Sequence, residues 1–145
     1  MSALIIHDVP IECINKAAIT YFVPASVIIS VLEIEGGRVG LASRNKNGTF
    51  DYGPMQINSI WLYALKKYGY SAQQLQYDPC VNVEVGTWIL AQAIAEGKSL
   101  WQGVGNYHSH TNSKNTRYWH KVNNAYVTLS NYLNNPQPQG RYRYN

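Results

Sequence analysis

The chain has 145 residues, a typical length for one compact domain, and 46% of them are hydrophobic whereas 14% are charged. This composition excludes a chain that is disordered throughout, because it offers enough apolar side chains for a core. The net charge of +4 is spread over scattered lysines and arginines without a basic run, a pattern typical of a solvated surface and not of nucleic-acid binding.

Apolar runs and the first residues bear on where the protein resides. The longest apolar runs, such as 27–29 and 31–32, are far shorter than the roughly 20 residues that span a bilayer, so we expect no membrane span. Residues 1–8 lack the basic segment, the long apolar segment and the cleavage site of a secretory signal. We therefore expect either a protein that stays inside the cell or a mature form whose signal has been removed.

The two cysteines, Cys13 and Cys80, leave two interpretations open at this point. A bridge between them would stabilise the fold by about 4 kcal/mol in the chain-entropy description, and it would indicate an oxidising compartment. Two free thiols buried in a core are the alternative.

The first half of the chain predicts two helices followed by a segment without helical period. Apolar residues recur at helical spacing over 10–22, and a second helix is predicted from Pro24 to the glycine pair at 36–37, which suits a helix end. Over 38–54 this spacing is lost, and Asn47-Gly48 is a strong signal for a two-residue hairpin turn. We therefore expect a small β-hairpin lobe after the second helix.

The second half of the chain is predicted to be helical up to a polar end. Helical spacing returns over about 59–68, after Ser71, and over 79–96, 101–108 and 114–133. Residues 134–145 have the composition of a flexible tail. The predicted organisation is one mainly α domain over 1–133, in which the β-hairpin lobe flanks a cleft, and a tail over 134–145.

Two glutamates lie at the end of the second predicted helix, and their positions differ. Ser26, Ser30 and Glu33 form a polar stripe, which predicts that Glu33 is solvated. Glu35 instead continues the apolar stripe of the helix, and burial raises the pKa of a glutamate so that it can act as an acid near neutral pH. The alternative is a glutamate at a helix end that turns out to water.

The segment after the hairpin is rich in amides and aromatic residues, which suit a sugar site. In an extended chain Gln56 and Asn58 would point to the same side. The order and spacing of several motifs over roughly residues 11–130 resemble the lysozyme and lytic transglycosylase superfamily, and most closely the specialised enzymes that accompany secretion, conjugation and pilus machines. These motifs are Glu35-Gly36-Gly37, Ser43-Arg44-Asn45, Asp51-Tyr52-Gly53-Pro54-Met55-Gln56-Ile57-Asn58-Ser59, Asp78-Pro79-Cys80 and Gly103-Val104-Gly105-Asn106-Tyr107-His108-Ser109.

The resemblance implies a lysozyme-like α+β fold, a catalytic acid and base at Glu35, an aromatic hydroxyl of Tyr107 near that acid, and a disulfide between Cys13 and Cys80. The chain departs from the family's pattern in having Gly36 after the glutamate, Pro54 in place of a branched apolar residue, and His108-Ser109 after the tyrosine. The substrate contacts that we expect are Ser43, Asp51, Tyr52, Met55, Gln56, Asn58, Tyr107 and His108.

The activity that the resemblance implies is a peptidoglycan lytic transglycosylase. Such an enzyme cleaves the bond between N-acetylmuramic acid and N-acetylglucosamine and forms a 1,6-anhydro product, so that one carboxyl group suffices. We expect a periplasmic or otherwise extracytoplasmic monomer whose partners are peptidoglycan strands and components of an envelope machine. No cofactor is expected, and no metal, because His108 and His110 lack companion ligands in the sequence.

Two other functions remain open from the residues. A peptidoglycan hydrolase would use Glu35 and Asp51 as a carboxyl pair, although Asp51 also suits a hairpin side chain that binds backbone amides. A scaffold that binds the cell wall without catalysis is the other. Of the remaining aromatic residues, Trp88 is expected in the core, and Trp101 and Tyr118 are expected at the cleft edges.

Overall fold

Seven α-helices and two small antiparallel sheets make up residues 4–135, the part of the chain that this computed structural model describes. The helices are α1 (Ile11–Tyr21), α2 (Ala25–Glu35), α3 (Leu62–Lys66), α4 (Ala72–Tyr77), α5 (Pro79–Ala95), α6 (Leu100–Asn106) and α7 (Asn112–Asn134). The strands are β1 (Ile5–Ile6), β2 (Val9–Pro10), β3 (Ala42–Arg44), β4 (Phe50–Tyr52) and β5 (Ile57–Asn58), and a 3-10 turn covers Ser59–Trp61. The predicted mainly α fold with a small β lobe is confirmed.

Helix α2 is the central helix of the core. Six consecutive residues, from Val27 to Leu32, are buried, and the helix packs against α1 and α7. The predicted polar stripe is therefore not a solvent face: Ser30 is only 1% exposed, and its hydroxyl donates a hydrogen bond to the Ser26 carbonyl at 2.7 Å. Glu33, predicted to be solvated, is partly buried. Neighbouring helices on several sides bury positions that the stripe alone assigns to water.

The end of α2 brings the catalytic candidate close to the β lobe. Gly36 has a left-handed φ of 65° and donates its N–H to the Leu32 carbonyl, which ends the helix as predicted. A Cβ atom at Gly37 would overlap the carbonyl oxygen of Gly53 in the β lobe. The absence of a side chain at this position thus allows the chain after Glu35 to pack directly on the lobe.

The β lobe is a three-stranded antiparallel sheet in the order β3-β4-β5. The predicted hairpin joins β3 and β4, but its loop is longer than the two residues that Asn47-Gly48 indicates. Asn47 has no positive φ, and Asn45 donates its N–H to the Thr49 carbonyl at 2.8 Å, so the loop spans 45–49. The Asn47 side chain accepts hydrogen bonds from the N–H and the hydroxyl of Thr49, and these local bonds stabilise the longer loop.

A second hairpin, which the sequence pattern did not predict, precedes α1. Ile6 pairs with Val9, and the two residues between them, His7 and Asp8, have φ values of 50° and 69°. Two positive φ values in a two-residue loop are the backbone of a type I′ turn, which usually carries asparagine and glycine. Pro10 lies in β2 and caps α1, so the first helix begins one residue later than predicted.

Three expectations about the whole chain can be compared with the structure. Cys13 of α1 and Cys80 of α5 are joined by a disulfide, with their Cα atoms 5.3 Å apart. The predicted tail over 134–145 lies outside the described residues except for Asn134, which ends α7, and Asn135. Within residues 4–135 no single helix is long and apolar enough to cross a membrane, and only α1 and α2 taken together, bent by 120°, reach that length and composition.

Candidate active site

Glu35 is the last residue of α2, and it lies between the β lobe and α7. The Tyr118 hydroxyl of α7 donates a hydrogen bond to Glu35 Oε2 at 2.7 Å. Burial raises the pKa of Glu35 to about 7; the bond from Tyr118 lowers this pKa, and the negative charge of Asp51 raises it. The carboxyl group is therefore close to equally protonated and ionised at neutral pH, as an acid that later serves as a base requires.

One cavity, which we call the lobe cavity, extends from Glu35 along the β lobe. Its volume is about 200 Å³, and it combines carboxylates and amides with aromatic rings. Amides offer donors and acceptors to sugar hydroxyl and acetamido groups, and an indole ring offers an apolar face. The lining residues are Glu35, Asp51, Gln56, Ile57, Asn58, Trp61, Ile89, Tyr107 and His108.

The sheet register holds the polar side of the lobe in place. Ser43, Asp51 and Asn58 are directly opposite one another on three adjacent strands. Asn58 Nδ2 donates to Asp51 Oδ1 at 2.9 Å, so the recorded partner of Asp51 is a side-chain amide and not the backbone amides considered from the sequence. Ser43 Oγ donates to Gln56 Oε1 at 3.1 Å, and Ser43 is absent from the lining of the lobe cavity.

Gln56 reaches the cavity by a different backbone from the one assumed. The chain is not extended at this residue, because Gln56 lies in a turn and has a left-handed φ of 52°. Its Nε2 donates to the Gly53 carbonyl at 3.0 Å, which orients the side chain. Gln56 and Asn58 do line the same cavity, but the turn brings them there rather than strand alternation.

Two expected contacts are absent from the lining of the lobe cavity: Met55 is buried in the core, and Tyr52 is partly buried against it. Met55 is 0% exposed, and its N–H donates to Asn82 Oδ1 at 2.9 Å. Tyr52 packs against the core, and its carbonyl accepts a hydrogen bond from Asn82 Nδ2 at 2.9 Å. Both residues therefore position the lobe on α5 through Asn82, and neither side chain belongs to the cavity lining.

Tyr107 lines the lobe cavity, but its hydroxyl is bound elsewhere. This hydroxyl donates to the Met55 carbonyl at 2.8 Å. Burial, followed by the charges of Glu35 and Asp51, raises the pKa of Tyr107 well above its usual value. Tyr107 thus lies in the same cavity lining as Glu35, whereas the hydroxyl that binds Glu35 comes from Tyr118.

Sequence analysis underestimated Tyr118 and did not select Trp61 or Ile89. Tyr118 is only 6% exposed and lies on the same face of α7 as the buried Asn115 and Val122. The helical spacing of Tyr118 and Val122 was the sequence signal that Tyr118 faces the interior. Its partner Glu35 lies 83 residues earlier in the chain, so no local pattern links the two. Trp101, expected at a cleft edge, instead packs edge-on against Tyr126, with ring centroids 5.3 Å apart.

A second cavity, which we call the α7 cavity, lies on the other side of Glu35. Its volume is about 500 Å³, and its lining is Ile34, Glu35, His108, Lys114, Arg117, Tyr118 and Lys121. His108 borders both cavities, and its ring stacks on that of Tyr118 at 4.9 Å. Burial lowers the pKa of His108, and the charges of Lys114 and Lys121 lower it further, whereas Asp51 raises it.

His108 and the carboxylates of the site are not grouped with further metal-binding side chains in the described part of the chain. Among residues 4–135, no group of three or more histidine, cysteine, aspartate or glutamate side chains is placed to hold a metal ion. His110 instead forms an exposed ion pair with Glu96, at 3.6 Å, when it is protonated.

Comparison with known proteins assigns the chain to a family. Residues 12–127 match the family described as "Transglycosylase SLT domain". Invasion protein IagB of Salmonella typhimurium is 32% identical over 123 residues, which cover 81% of this chain and 77% of that protein. Protein IpgF of Shigella flexneri is 33% identical over 104 residues, covering 71% and 68%.

A third relative has a name that refers to the cell wall. The peptidoglycan-binding-like protein of Escherichia coli O157:H7 is 30% identical over 130 residues, which cover 81% of this chain and 78% of that protein. These matches agree with the motifs around Glu35 and confirm the resemblance drawn from them. The chain belongs to the transglycosylase SLT domain family, and it is a peptidoglycan lytic transglycosylase.

Proposed function

We propose that Glu35 alone serves as acid and base in cleaving the β-1,4 bond between N-acetylmuramic acid and N-acetylglucosamine. Glu35 first donates its proton to the glycosidic oxygen, and the bond from that oxygen to C1 of the muramic acid breaks. The resulting carboxylate then accepts the proton of the muramyl 6-hydroxyl, whose oxygen forms a new bond to C1. The products are a 1,6-anhydro end and a free 4-hydroxyl, no water is consumed, and Glu35 is protonated again.

The observation that carries this proposal is the setting of Glu35. A carboxyl group with a pKa of about 7 lies at the edge of a polar and aromatic cavity, and it can both donate and accept a proton at neutral pH. In this mechanism the cavity binds the sugar rings. Gln56 and Asn58 contact their polar groups, and Trp61 and Tyr107 offer aromatic surface.

Asp51 has a supporting role in this mechanism. It lines the same cavity as Glu35, its carboxylate is bound by Asn58, and its charge adds to the effect of burial in raising the pKa of Glu35. The same position suits the second carboxylate of a hydrolase, in which water would attack C1 directly or after a covalent intermediate. The identity of the reaction product therefore decides between the two mechanisms.

The cellular role that we propose is local cleavage of peptidoglycan where an envelope machine crosses the wall. The name of the Salmonella relative refers to invasion, and that of the Escherichia coli relative to peptidoglycan binding. A wall substrate places the protein outside the cytoplasm, and the disulfide between Cys13 and Cys80 agrees with an oxidising compartment. The monomeric state expected from the sequence stays a prediction.

Mass spectrometry of the soluble products of peptidoglycan digestion tests the proposal. Wild-type protein should release muropeptides that end in 1,6-anhydro-muramic acid, and the Glu35→Gln variant should release none. Products with a reducing end, heavier by one water, would establish hydrolysis and assign Asp51 to a carboxyl pair. Binding of peptidoglycan without any product that depends on Glu35 would instead support a scaffold.

A further inference from the structure

The α7 cavity differs from a neutral sugar site in its charge. Lys114, Arg117 and Lys121 line it from one face of α7, where their spacing of three and then four residues places them in a row. Among the described residues of this lining Glu35 alone has a carboxyl group, and with its pKa of about 7 it is only partly ionised at neutral pH. The cavity therefore carries a strongly positive wall next to the catalytic acid.

No anionic side chain among residues 4–135 forms an ion pair with this wall. The ion pair in this part of the chain joins His110 to Glu96, and none of the three α7 cations takes part in one. All three residues are exposed, so their charged ends are free to meet a solute. The effect of Lys114 and Lys121 on the pKa of His108 shows that their charges reach the border between the two cavities.

The arrangement is unfavourable for the helix itself. Like charges three and four residues apart repel one another, and a lysine in the first turn opposes the positive end of the helix dipole. Lys114 is the third residue of α7, and this first turn contains no acidic residue that would offset it. Helix stability therefore does not account for the three cations, whereas binding of an anion does.

We propose that the α7 cavity binds carboxylates carried by the muramic acid that enters the active site. This inference rests on the proposed function, because that function supplies the substrate. The muramyl residue whose C1 faces Glu35 bears a lactyl group on the same ring. In intact peptidoglycan the carboxyl of this group forms an amide with a short peptide that has free carboxylates, and the lactyl carboxylate is free only where the peptide has been removed. Lysine and arginine bind carboxylates by charge-assisted hydrogen bonds, which a neutral acetamido sugar does not match.

The test measures binding in the Glu35→Gln background, so that no turnover is required. Two triple variants with the same loss of charge are compared. The first removes the α7 cations through Lys114→Gln, Arg117→Gln and Lys121→Gln. The matched control removes three exposed cations that line neither cavity, through Lys16→Gln, Lys66→Gln and Lys98→Gln.

Three soluble ligands of equal sugar length separate the sources of the carboxylate. They are glycan strands with their peptides, strands from which an amidase has removed the peptides and left free lactyl carboxylates, and chitin oligomers without either group. For peptide-bearing strands the α7 triple variant should bind about tenfold more weakly than the matched control, as expected for the loss of several exposed charge contacts. Binding of chitin oligomers should be equal in the two variants.

The amidase-treated strands decide which carboxylate is bound. Because the lactyl carboxyl is an amide in peptide-bearing strands, a difference between the two variants with those strands comes from the peptide carboxylates. A difference that persists after amidase treatment shows that the α7 cations also bind the freed lactyl carboxylate, and a lost difference limits the contact to the peptide. Equal binding of peptide-bearing strands by both variants would overturn the proposal. Failure of the proposed function has another signature, since wild-type protein would then release no anhydro product whatever the α7 variants bind. Near-ultraviolet circular dichroism of both triple variants confirms that they are folded.

Discussion

Two walls border Glu35, one formed by α7 and the other by the β lobe, and they shift the pKa of Glu35 in opposite directions. On the α7 side, the Tyr118 hydroxyl stabilises the carboxylate and lowers the pKa, whereas on the β-lobe side the charge of Asp51 raises it. The effect of burial on the pKa of Glu35 is larger than either of these and raises the pKa to about 7. The pKa of Glu35 is therefore raised mainly because the residue ends a buried helix. Each wall changes this pKa by one further interaction, the Tyr118 hydrogen bond or the Asp51 charge.

The walls also differ in how their side chains are held. Amides and carboxylates of the β lobe bind one another, as Asn58 binds Asp51 and Ser43 binds Gln56. The α7 cations have no such partners among the described residues. Side chains of the β lobe that bind one another can hold sugar groups in a fixed orientation. Cations of α7 without an ion-pair partner among the described residues can attract an anion from solution.

The largest expected effect comes from removing the acid that both walls share. Glu35→Gln should lower the rate of muropeptide release by about 10³-fold or more, because a general acid and base is lost. The rate is measured by chromatography of soluble products. Glu33→Gln is the matched control, since Glu33 is a partly buried glutamate on the same helix that lines neither cavity, and it should retain activity. Comparable losses in both variants would contradict the assignment.

Burial of Glu35 predicts how stability depends on pH. The pKa rises from 4.5 when unfolded to about 7 when folded, so the folded state binds the proton more tightly. This contribution to stability is complete below about pH 4.5 and is lost as the pH rises through about 7, a difference of about 3 kcal/mol. Urea unfolding at pH 4.5 and pH 8 should show this extra loss in wild type relative to Glu35→Gln. Equal losses in both proteins would mean that the carboxyl group is not buried.

The contribution of the α7 wall is tested by Tyr118→Phe, which removes only the hydroxyl. Loss of the hydrogen bond to Glu35 Oε2 should raise the pKa of Glu35 further, so the alkaline limb of the pH–rate profile should move to higher pH. The maximal rate should fall about tenfold, because the carboxyl group is less well oriented. Tyr126→Phe on the same helix, where the ring packs on Trp101, should leave the profile unchanged. An unmoved alkaline limb in Tyr118→Phe would refute this role.

The contribution of the β-lobe wall is tested by Asp51→Asn, and its effect should be the smallest. Loss of the negative charge should lower the pKa of Glu35, which moves the alkaline limb in the direction opposite to that of Tyr118→Phe. The rate at the optimum should fall only a few-fold, roughly the value of one exposed charge contact. A loss near 10³-fold, together with products that have reducing ends, would instead support the two-carboxylate hydrolase.

Local patterns predicted the elements that carry the site. The spacing of apolar residues indicated α2 and its end at Gly36, and with them the core-facing position of Glu35. The family resemblance of the motif that follows implied Gln56, Asn58 and Asp51, which line the lobe cavity. The helix and its end depend on residues near one another in the chain, whose periodicity and turn chemistry are readable without the fold, whereas the cavity residues came from the resemblance.

Local rules were less successful at the two hairpin turns. Asn47-Gly48 predicted a two-residue turn, but side-chain bonds of Asn47 support a longer loop, whereas the two-residue turn with positive φ values occurs at His7 and Asp8. There the pairing of β1 with β2, and the bond from the Val39 N–H to the Asp8 carboxylate, accompany a backbone that the residue types alone do not favour.

The helical framework, the family and the candidate acid Glu35 could all be read from the order of residues along the chain. The burial of Ser30, the core position of Met55 and the bond from Tyr118 to Glu35 across 83 residues of chain became visible only in the folded molecule. The physical reason is that periodicity along one helix defines its faces but not which element will cover each face. The close packing of α2 between its neighbours makes that choice, and with it the environment that sets the pKa of the catalytic candidate.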